Sequence, residues 1–132
     1  MVISYRDSAV GVTPEQLGGF FQGWPNQPSP AKHLAILQGS DHVVLAFDGA
    51  RVVGFITATS DGVLSAYIPL LEVLSEYQGR GIGSELVRRM LEKLSILYIV
   101  DLVCDPELQG FYARLGMKPY TAMIIRNLGS LG

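Results

Sequence analysis

The order of apolar and polar residues along the chain predicts ten elements of secondary structure. Short apolar runs separated by turn residues predict six strands, and apolar residues at helical spacing predict four helices. Asp-Gly pairs after the second and third predicted strands are typical of hairpin turns, so strands two to four should form an antiparallel meander. The predicted strands are residues 2–5, 43–47, 52–59, 63–74, 97–104 and 120–126. The order β-α-α-β-β-β-α-β-α-β indicates an α+β fold with a mixed central sheet flanked by helices.

The four predicted helices each begin at a recognisable start signal. Thr13-Pro14 followed by Gln16 is typical of a helix N-terminus with a capping box. Apolar residues then follow at helical spacing, namely Leu17, Phe20, Phe21 and Trp24. A second helix is predicted to begin at residues 29–30 and to end near Gly39, a third follows the glycine-rich turn after Gln78, and the last begins at residues 105–106.

Composition and charge narrow the class of protein. The chain has 132 residues, of which 48% are hydrophobic and 17% charged, so we expect a single globular domain over residues 1–132. A net charge of −2 argues against a nucleic-acid partner. We find neither an apolar run of membrane-spanning length nor a signal-peptide pattern, so no membrane partner is expected. The single cysteine, Cys104, favours a cytoplasmic location, and too few cysteines and histidines are present for a zinc site; no metal is expected.

Residues 76–84, EYQGRGIGS, place three glycines at alternate positions between a predicted strand and a predicted helix. The first amides of a helix have no intrahelical partner and carry partial positive charge, and glycines let a ligand approach them closely. Such a turn is suited to an anion, most naturally a phosphate. The residues that could converge on it are Gly79, Arg80, Gly81, Ile82, Gly83 and Ser84.

The spacing of the glycines decides between phosphate-binding motifs. The Walker and dinucleotide spacings both fail, because Ser84 stands where each requires a glycine. The spacing that fits is Q-x-x-G-x-G, at Gln78, Gly81 and Gly83. With this motif, LEVLSEYQGRGIGSELVRRML resembles the pyrophosphate-binding segment of the GNAT superfamily of acyl-CoA-dependent N-acyltransferases, whose motif is (R/Q)-x-x-G-x-(G/A). FYARLGMKPY, residues 111–120, is similar to the final helix and turn of that family, and the predicted order of elements also matches the GNAT fold.

The resemblance implies a cofactor and a place for it. Acetyl-CoA, or a similar short acyl-CoA, would be the donor, with its pyrophosphate on the amides of residues 78–84. The pantetheine arm would pair with the preceding strand at Val73 and Leu74, where that strand parts from strand 97–104. One departure concerns Asp105, which stands near the start of the last helix where many relatives carry an asparagine that contacts pantetheine.

The resemblance also implies direct acyl transfer to a primary amine, with two candidate catalytic residues. Tyr112 matches the family's general-acid tyrosine, which would protonate the leaving thiolate; its helical spacing equally suits a core aromatic. Glu72, a carboxylate among apolar residues, is the candidate base. A structural role for Glu72 and deprotonation through water both stay open.

The acceptor site is the part that the sequence defines least. In the family the first two helices and their loop form one wall of it, which makes Trp24 and, on the third meander strand, Tyr67 the candidate substrate contacts. The expected partner is a small-molecule or peptide amine, and a homodimer is left open. A non-catalytic acyl-CoA-binding or sensing module of the same fold is the alternative function.

Overall fold

Runs of buried residues in the middle of the chain form a sheet in the computed structural model, which describes residues 2–131. Its strands are β1 Ile3–Arg6, β2 His42–Asp48, β3 Arg51–Ser60, β4 Ser65–Val73 and β5 Ile99–Leu102. The α-helices of the described residues are α1 Pro30–Gly39, α2 Ile82–Lys93 and α3 Gln109–Ala113. Within residues 2–131, none of these helices has the length and apolarity needed to cross a membrane.

The five strands lie in the sheet in their order along the chain, β1-β2-β3-β4-β5. Neighbours from β1 to β4 pair antiparallel, whereas β5 pairs parallel to β4. The parallel step follows from the connection, because the chain crosses over through α2 before it returns as β5. The predicted mixed α+β fold with its meander of three strands is confirmed.

Adjacent residues of β3 show that the sheet is buried on both faces. A Cβ on Gly54 would lie 3.1 Å from Leu86 Cδ1 and 3.3 Å from Ile82 Cγ2, so glycine lets α2 pack closely. Phe55 points to the opposite face, where its ring lies 4.3 Å from His33 of α1 and 5.2 Å from Phe20, centroid to centroid. The start of α2 is therefore fixed against the middle of the sheet.

The predicted first helix is wrong beyond its first turn. Pro14–Leu17 forms one 3-10 turn, in which Thr13 N donates to Gln16 Oε1 at 2.9 Å as the capping signal predicts. Gly19 then adopts a φ of +95° and Phe21 a φ of +64°, which no helix can continue through. The apolar spacing of this segment reflects burial of a loop: Phe20 and Phe21 are in the core, whereas Trp24 is 40% exposed.

The predicted last strand is also wrong. Residues 120–126 pair with no strand of the described sheet, and every one of them is exposed. The last helix is short as well, since a 3-10 turn at Pro106–Leu108 leads into α3, which ends before Gly116. The apolar pattern of residues 120–126 is therefore real, but within residues 2–131 these side chains take no part in the hydrophobic core.

Candidate functional site

Strands β4 and β5 part halfway along β4. Their register runs from Ser65↔Ile99 to Ile68↔Leu102, whereas β4 continues to Val73. The edge of β4 after Ile68 is therefore no longer paired with β5. The expectation that these two strands separate is confirmed.

The alternation of backbone groups along β4 shows which residues face this opening. Leu74 N donates to Val53 O at 2.9 Å, and Leu74 O accepts from Tyr77 N at 2.8 Å, so both backbone groups of Leu74 are engaged within the chain. Since alternate residues point the same way, Leu71 and Val73 direct their backbone groups toward the gap. Of the two residues expected at the pantetheine, Val73 directs its amide to the gap, while its carbonyl oxygen accepts from Gln78 Nε2 at 3.0 Å. Leu71, which sequence reasoning missed, is better placed than Leu74.

The glycine-rich turn presents bare backbone at the start of α2. Gly79 and Gly81 have φ of +78° and +81°, and an added Cβ at either position would meet nothing within 4 Å. The first backbone hydrogen bond across this end of α2 runs from Glu85 N to Gly81 O, 3.1 Å. The amides of residues 82–84 precede that bond and lie at the positive end of the helix dipole. Gly83 is different, because an added Cβ would lie 3.7 Å from Phe111 and 3.8 Å from Val73, at ordinary van der Waals distances.

Tyr77, which sequence reasoning did not single out, holds the turn against the β2–β3 hairpin. Its hydroxyl donates to Asp48, and this hydrogen bond is the main reason that the pKa of Tyr77 is raised. The guanidinium carbons of Arg80 and Arg51 lie 5.3 and 5.9 Å from its ring centroid. Arg51 also pairs with Glu76 at 3.5 Å. The turn thus has two arginines beside it, of which only Arg80 was expected. Tyr77, an aromatic residue directly before Gln78, was the signal in the sequence that could have indicated this arrangement.

Gln78 bridges the turn and the parting strand. Its Nε2 donates to Val73 O at 3.0 Å. The side chain is therefore directed toward β4 and fixes the turn relative to the strand edge, while its backbone continues into the glycines. The resemblance implied that the backbone amide of residue 78 meets the pyrophosphate; in the structure this amide donates to Ser75 O at 3.3 Å.

Glu72 anchors the loop that precedes α1. Its Oε1 accepts from Phe21 N at 2.8 Å, and its Oε2 accepts from Gln22 N at 3.4 Å. The loop needs such an anchor, because Phe21 has the left-handed φ that costs about 1–2 kcal/mol for a residue with a side chain. The Trp24 ring packs edge-on against Phe21, with centroids 5.0 Å apart.

Five of the expected site residues line two neighbouring cavities along β4, whereas Val73, Leu74 and residues 79–84 line neither of them. A cavity of about 320 Å³ is lined by Trp24, Glu72 and Gln78. A second, of about 850 Å³, is lined by Tyr67 and Tyr112 together with Cys104. The structure therefore brings Trp24 to Glu72 and Tyr67 to Tyr112, but it places the two candidate catalytic residues on different cavities.

Tyr112 is half-buried at the wall of the larger cavity. Burial raises the pKa of its hydroxyl, and the nearby Cys104 raises it further. The phenol is therefore protonated at neutral pH and can donate a proton or a hydrogen bond. Its ring packs edge-on against Phe111, with centroids 4.9 Å apart, so Tyr112 has a packing role as well.

The fold and the site together define the class of protein. A mixed sheet whose strands part beside a bare helix start can hold a long ligand with phosphate at one end, as acyl-CoA-dependent acyltransferases do. The sequence profile of the Acetyltransferase (GNAT) family matches residues 10–117. The chain belongs to this family, as its motifs predicted.

Individual relatives agree with this assignment. The chain is 32% identical over 117 residues to GCN5-related N-acetyltransferase 1, chloroplastic, of Arabidopsis thaliana, a match that covers 84% of this chain and 59% of that protein. The chain is 49% identical in sequence to an acetyltransferase of Deinococcus radiodurans R1 that is known from a crystal structure. The two structures superpose with a TM-score of 0.91, and the match covers 95% of this chain and 88% of that one. An aminoglycoside N-acetyltransferase determined in complex with CoA shares the fold at 18% sequence identity. The TM-score is 0.68, and the match covers 96% of this chain and 94% of that one.

Proposed function

We propose that the protein transfers an acetyl group from acetyl-CoA to a primary amine by direct attack of the amine. The observation that carries this proposal is the unpaired edge of β4 that leads straight into the bare glycine turn of α2. Membership of the family supports an acetyl transfer, and the CoA bound by the aminoglycoside enzyme supports the donor. We propose residues 1–132 as one functional domain and, with Cys104 as the single cysteine, a cytoplasmic location.

The coenzyme is proposed to lie along the opening with its diphosphate at the turn. The backbone amides of residues 79–84 would receive the phosphate oxygens, with Arg80 and Arg51 adding positive charge nearby. Pantetheine would pair with the edge of β4 at Val73 and Leu71. Leu71 replaces the expected Leu74, because both backbone groups of Leu74 form hydrogen bonds within the chain. Gln78 would fix the corner between the two parts of the ligand.

The proposed chemistry needs one proton donor and one proton acceptor. The neutral amine nitrogen forms a bond to the thioester carbon, and the carbon–sulfur bond then breaks. Its electrons stay on sulfur, which takes a proton from Tyr112 to leave as CoA thiol. The proton that the nitrogen loses after attack, as the amide forms, restores the Tyr112 hydroxyl. The hydroxyl of Tyr112 is protonated at neutral pH and so has a proton to give, and its raised pKa makes it a weaker acid than an ordinary phenol.

The acceptor amine is proposed to enter beside Trp24 and Glu72, with Tyr67 on the neighbouring cavity that Tyr112 lines. An alkylamine is overwhelmingly protonated at pH 7, so it must lose a proton before it attacks. Glu72 lines the cavity next to Trp24 and is the proposed acceptor of that proton, directly or through water. Its two hydrogen bonds from the loop leave lone pairs for this role, since a carboxylate offers about four acceptor positions.

The proposal is tested by following free thiol released from acetyl-CoA in the presence of a panel of primary amines. We expect turnover with at least one amine and a loss of turnover in Tyr112→Phe with CoA affinity retained. Unchanged turnover in Tyr112→Phe would remove the hydroxyl from the mechanism. Tight CoA binding without turnover on any amine would instead support the non-catalytic acyl-CoA-binding module.

A further inference from the structure

Residues 118–130, the apolar arm, are exposed along their whole length. The exposed fraction is 97% at Tyr120, 95% at Met123 and 80% at Ile125, and Ile124 and Leu128 are also more than half exposed. These residues take no part in the hydrophobic core of the described chain. A contiguous apolar patch of this kind usually marks an interaction surface.

Strand β5 is the open edge of the sheet. In the described sheet it is the last strand and pairs with β4 alone. Ile99 N donates to Leu64 O, 3.0 Å, on the β4 side. Because amides alternate along a strand, those of Val100 and Leu102 point outward to the open side. The edge can therefore accept one more strand.

The arm and this edge enclose one open cavity of about 850 Å³. It is lined on one side by Val100 and Leu102 and on the other by Tyr120 and Ile124. Hydrogen bonds hold the arm at both ends. Just before it, Met117 N donates to Tyr112 O of α3 at 3.2 Å. Just after it, Leu131 O accepts from Asn26 Nδ2, in the loop before α1, at 2.9 Å. The arm is thus held across the gap without pairing to the strand of its own copy.

We propose that the apolar arm of a second copy fills this gap and pairs with β5, and that the exchange is reciprocal. Each copy offers both an unpaired apolar segment and an unpaired strand edge. In a two-fold dimer each arm pairs with the β5 edge of the other copy, so no arm or edge is left for a third copy. The arm adds to the sheet through its backbone, while its side chains enter the cavity.

Area and charge both favour a second copy as the occupant. With roughly 100 Å² for each large apolar side chain, five from each arm would bury about 1,000 Å² on the two arms alone, and the surfaces that they cover add to this, which reaches the size of a stable interface. Lys118 and Arg126 flank the apolar part of the arm, and exposed Asp101 and Asp105 lie on or just after β5. The two surfaces therefore carry opposite charges as well as apolar area.

The exchange also bears on the candidate site. Tyr67 and Tyr112 line the same cavity, so the arm of one copy would form part of the wall that faces these tyrosines in the other. The dimer itself does not depend on the proposed reaction.

The test measures the molar mass of the full chain by light scattering at micromolar concentrations. We expect a dimer for the natural chain and a monomer for the double variant Met123→Glu, Ile125→Glu, whose side chains are exposed and whose fold should be unaffected. Val10→Glu, a change at an equally exposed valine elsewhere, is the matched control and should stay dimeric. A monomeric natural chain, or a double variant that still dimerises, would overturn the proposal.

Hydrogen exchange identifies the contact. The amides of Val100 and Leu102 should exchange at least tenfold more slowly in the dimer than in the double variant, while that of Ile99, already bonded to β4, should change less. A dimer in which Val100 and Leu102 exchange as fast as in the monomer would show that the arm does not pair with β5.

Discussion

At the scale of single residues, Glu72 has two tasks that a mutation can separate. It holds the strained loop at Phe21 through two backbone amides, and it lines the cavity where we place the amine. A glutamine keeps one oxygen for Phe21 N but is far less basic than a carboxylate. An alanine removes both functions.

Glu72→Gln should therefore lower kcat by roughly 10²–10⁴ if the carboxylate accepts the proton, while the free energy of unfolding changes little. Glu72→Ala should lower the free energy of unfolding as well, by about 1–3 kcal/mol, because two backbone amides lose their acceptor. Turnover and urea unfolding of both variants are the measurements. A glutamine variant with natural turnover would leave Glu72 as a loop anchor only.

His33 makes stability depend on pH. Its side chain is 1% exposed, lies among aromatic rings, and has no hydrogen-bond partner for either ring nitrogen within the described chain. Burial lowers its pKa to about 4, against an ordinary value of 6.5. Between these values the unfolded chain binds a proton that the folded one does not, so stability falls as the pH falls from 6.5 to 4.

The expected loss from His33 over this window is about 3 kcal/mol. Urea unfolding at a series of pH values measures it, with His33→Leu as the comparison, since leucine keeps similar volume and does not titrate. The difference in free energy of unfolding between the two proteins should change by this amount between pH 7 and pH 4. Parallel pH curves would show that His33 does not titrate as its burial requires.

At the scale of elements, the glycine turn was the feature that sequence reasoning placed best. The motif indicated a strand, an anion-binding turn and a helix, and the structure has β4, bare backbone at Gly79 and Gly81, and α2 in that order. The brace by Tyr77 and Asp48 could not be predicted, because it joins segments 29 residues apart in the chain.

Two substitutions at Gly81 separate backbone strain from phosphate binding. Both Gly81→Ala and Gly81→Glu place a side chain at a φ of +81°, so each should cost about 1–2 kcal/mol of stability. Only glutamate adds a negative charge beside the phosphates. The rise in melting temperature on adding CoA should persist in the alanine variant and vanish in the glutamate variant. Full protection of Gly81→Glu by CoA would refute this position for the diphosphate.

Short elements were predicted less well than long ones. The capping signal at Thr13 and Gln16 was correct, yet Gly19 and Phe21 end the helix after one 3-10 turn. Helical spacing of apolar residues could not reveal this, since a loop buried against Phe55 needs the same residues inside.

At the scale of the whole molecule, the sequence predicted the fold class, the meander and the parting of β4 from β5, because each rests on a local pattern or on the family resemblance. It did not predict that residues 120–126 leave the sheet. Their apolar pattern is that of a strand, and a pattern cannot tell whether the partner strand belongs to the same copy or to another. It also did not reveal that Glu72 and Tyr112 line separate cavities.

The most direct test of the central claim follows backbone amide signals by NMR as CoA is added, with pantetheine, which lacks the phosphates, as the matched ligand. We expect CoA to shift the amides of residues 81–84 most strongly. Pantetheine should shift those of Leu71 and Val73 and leave the turn unchanged. Binding of CoA that leaves the amides of residues 81–84 unshifted would contradict the account.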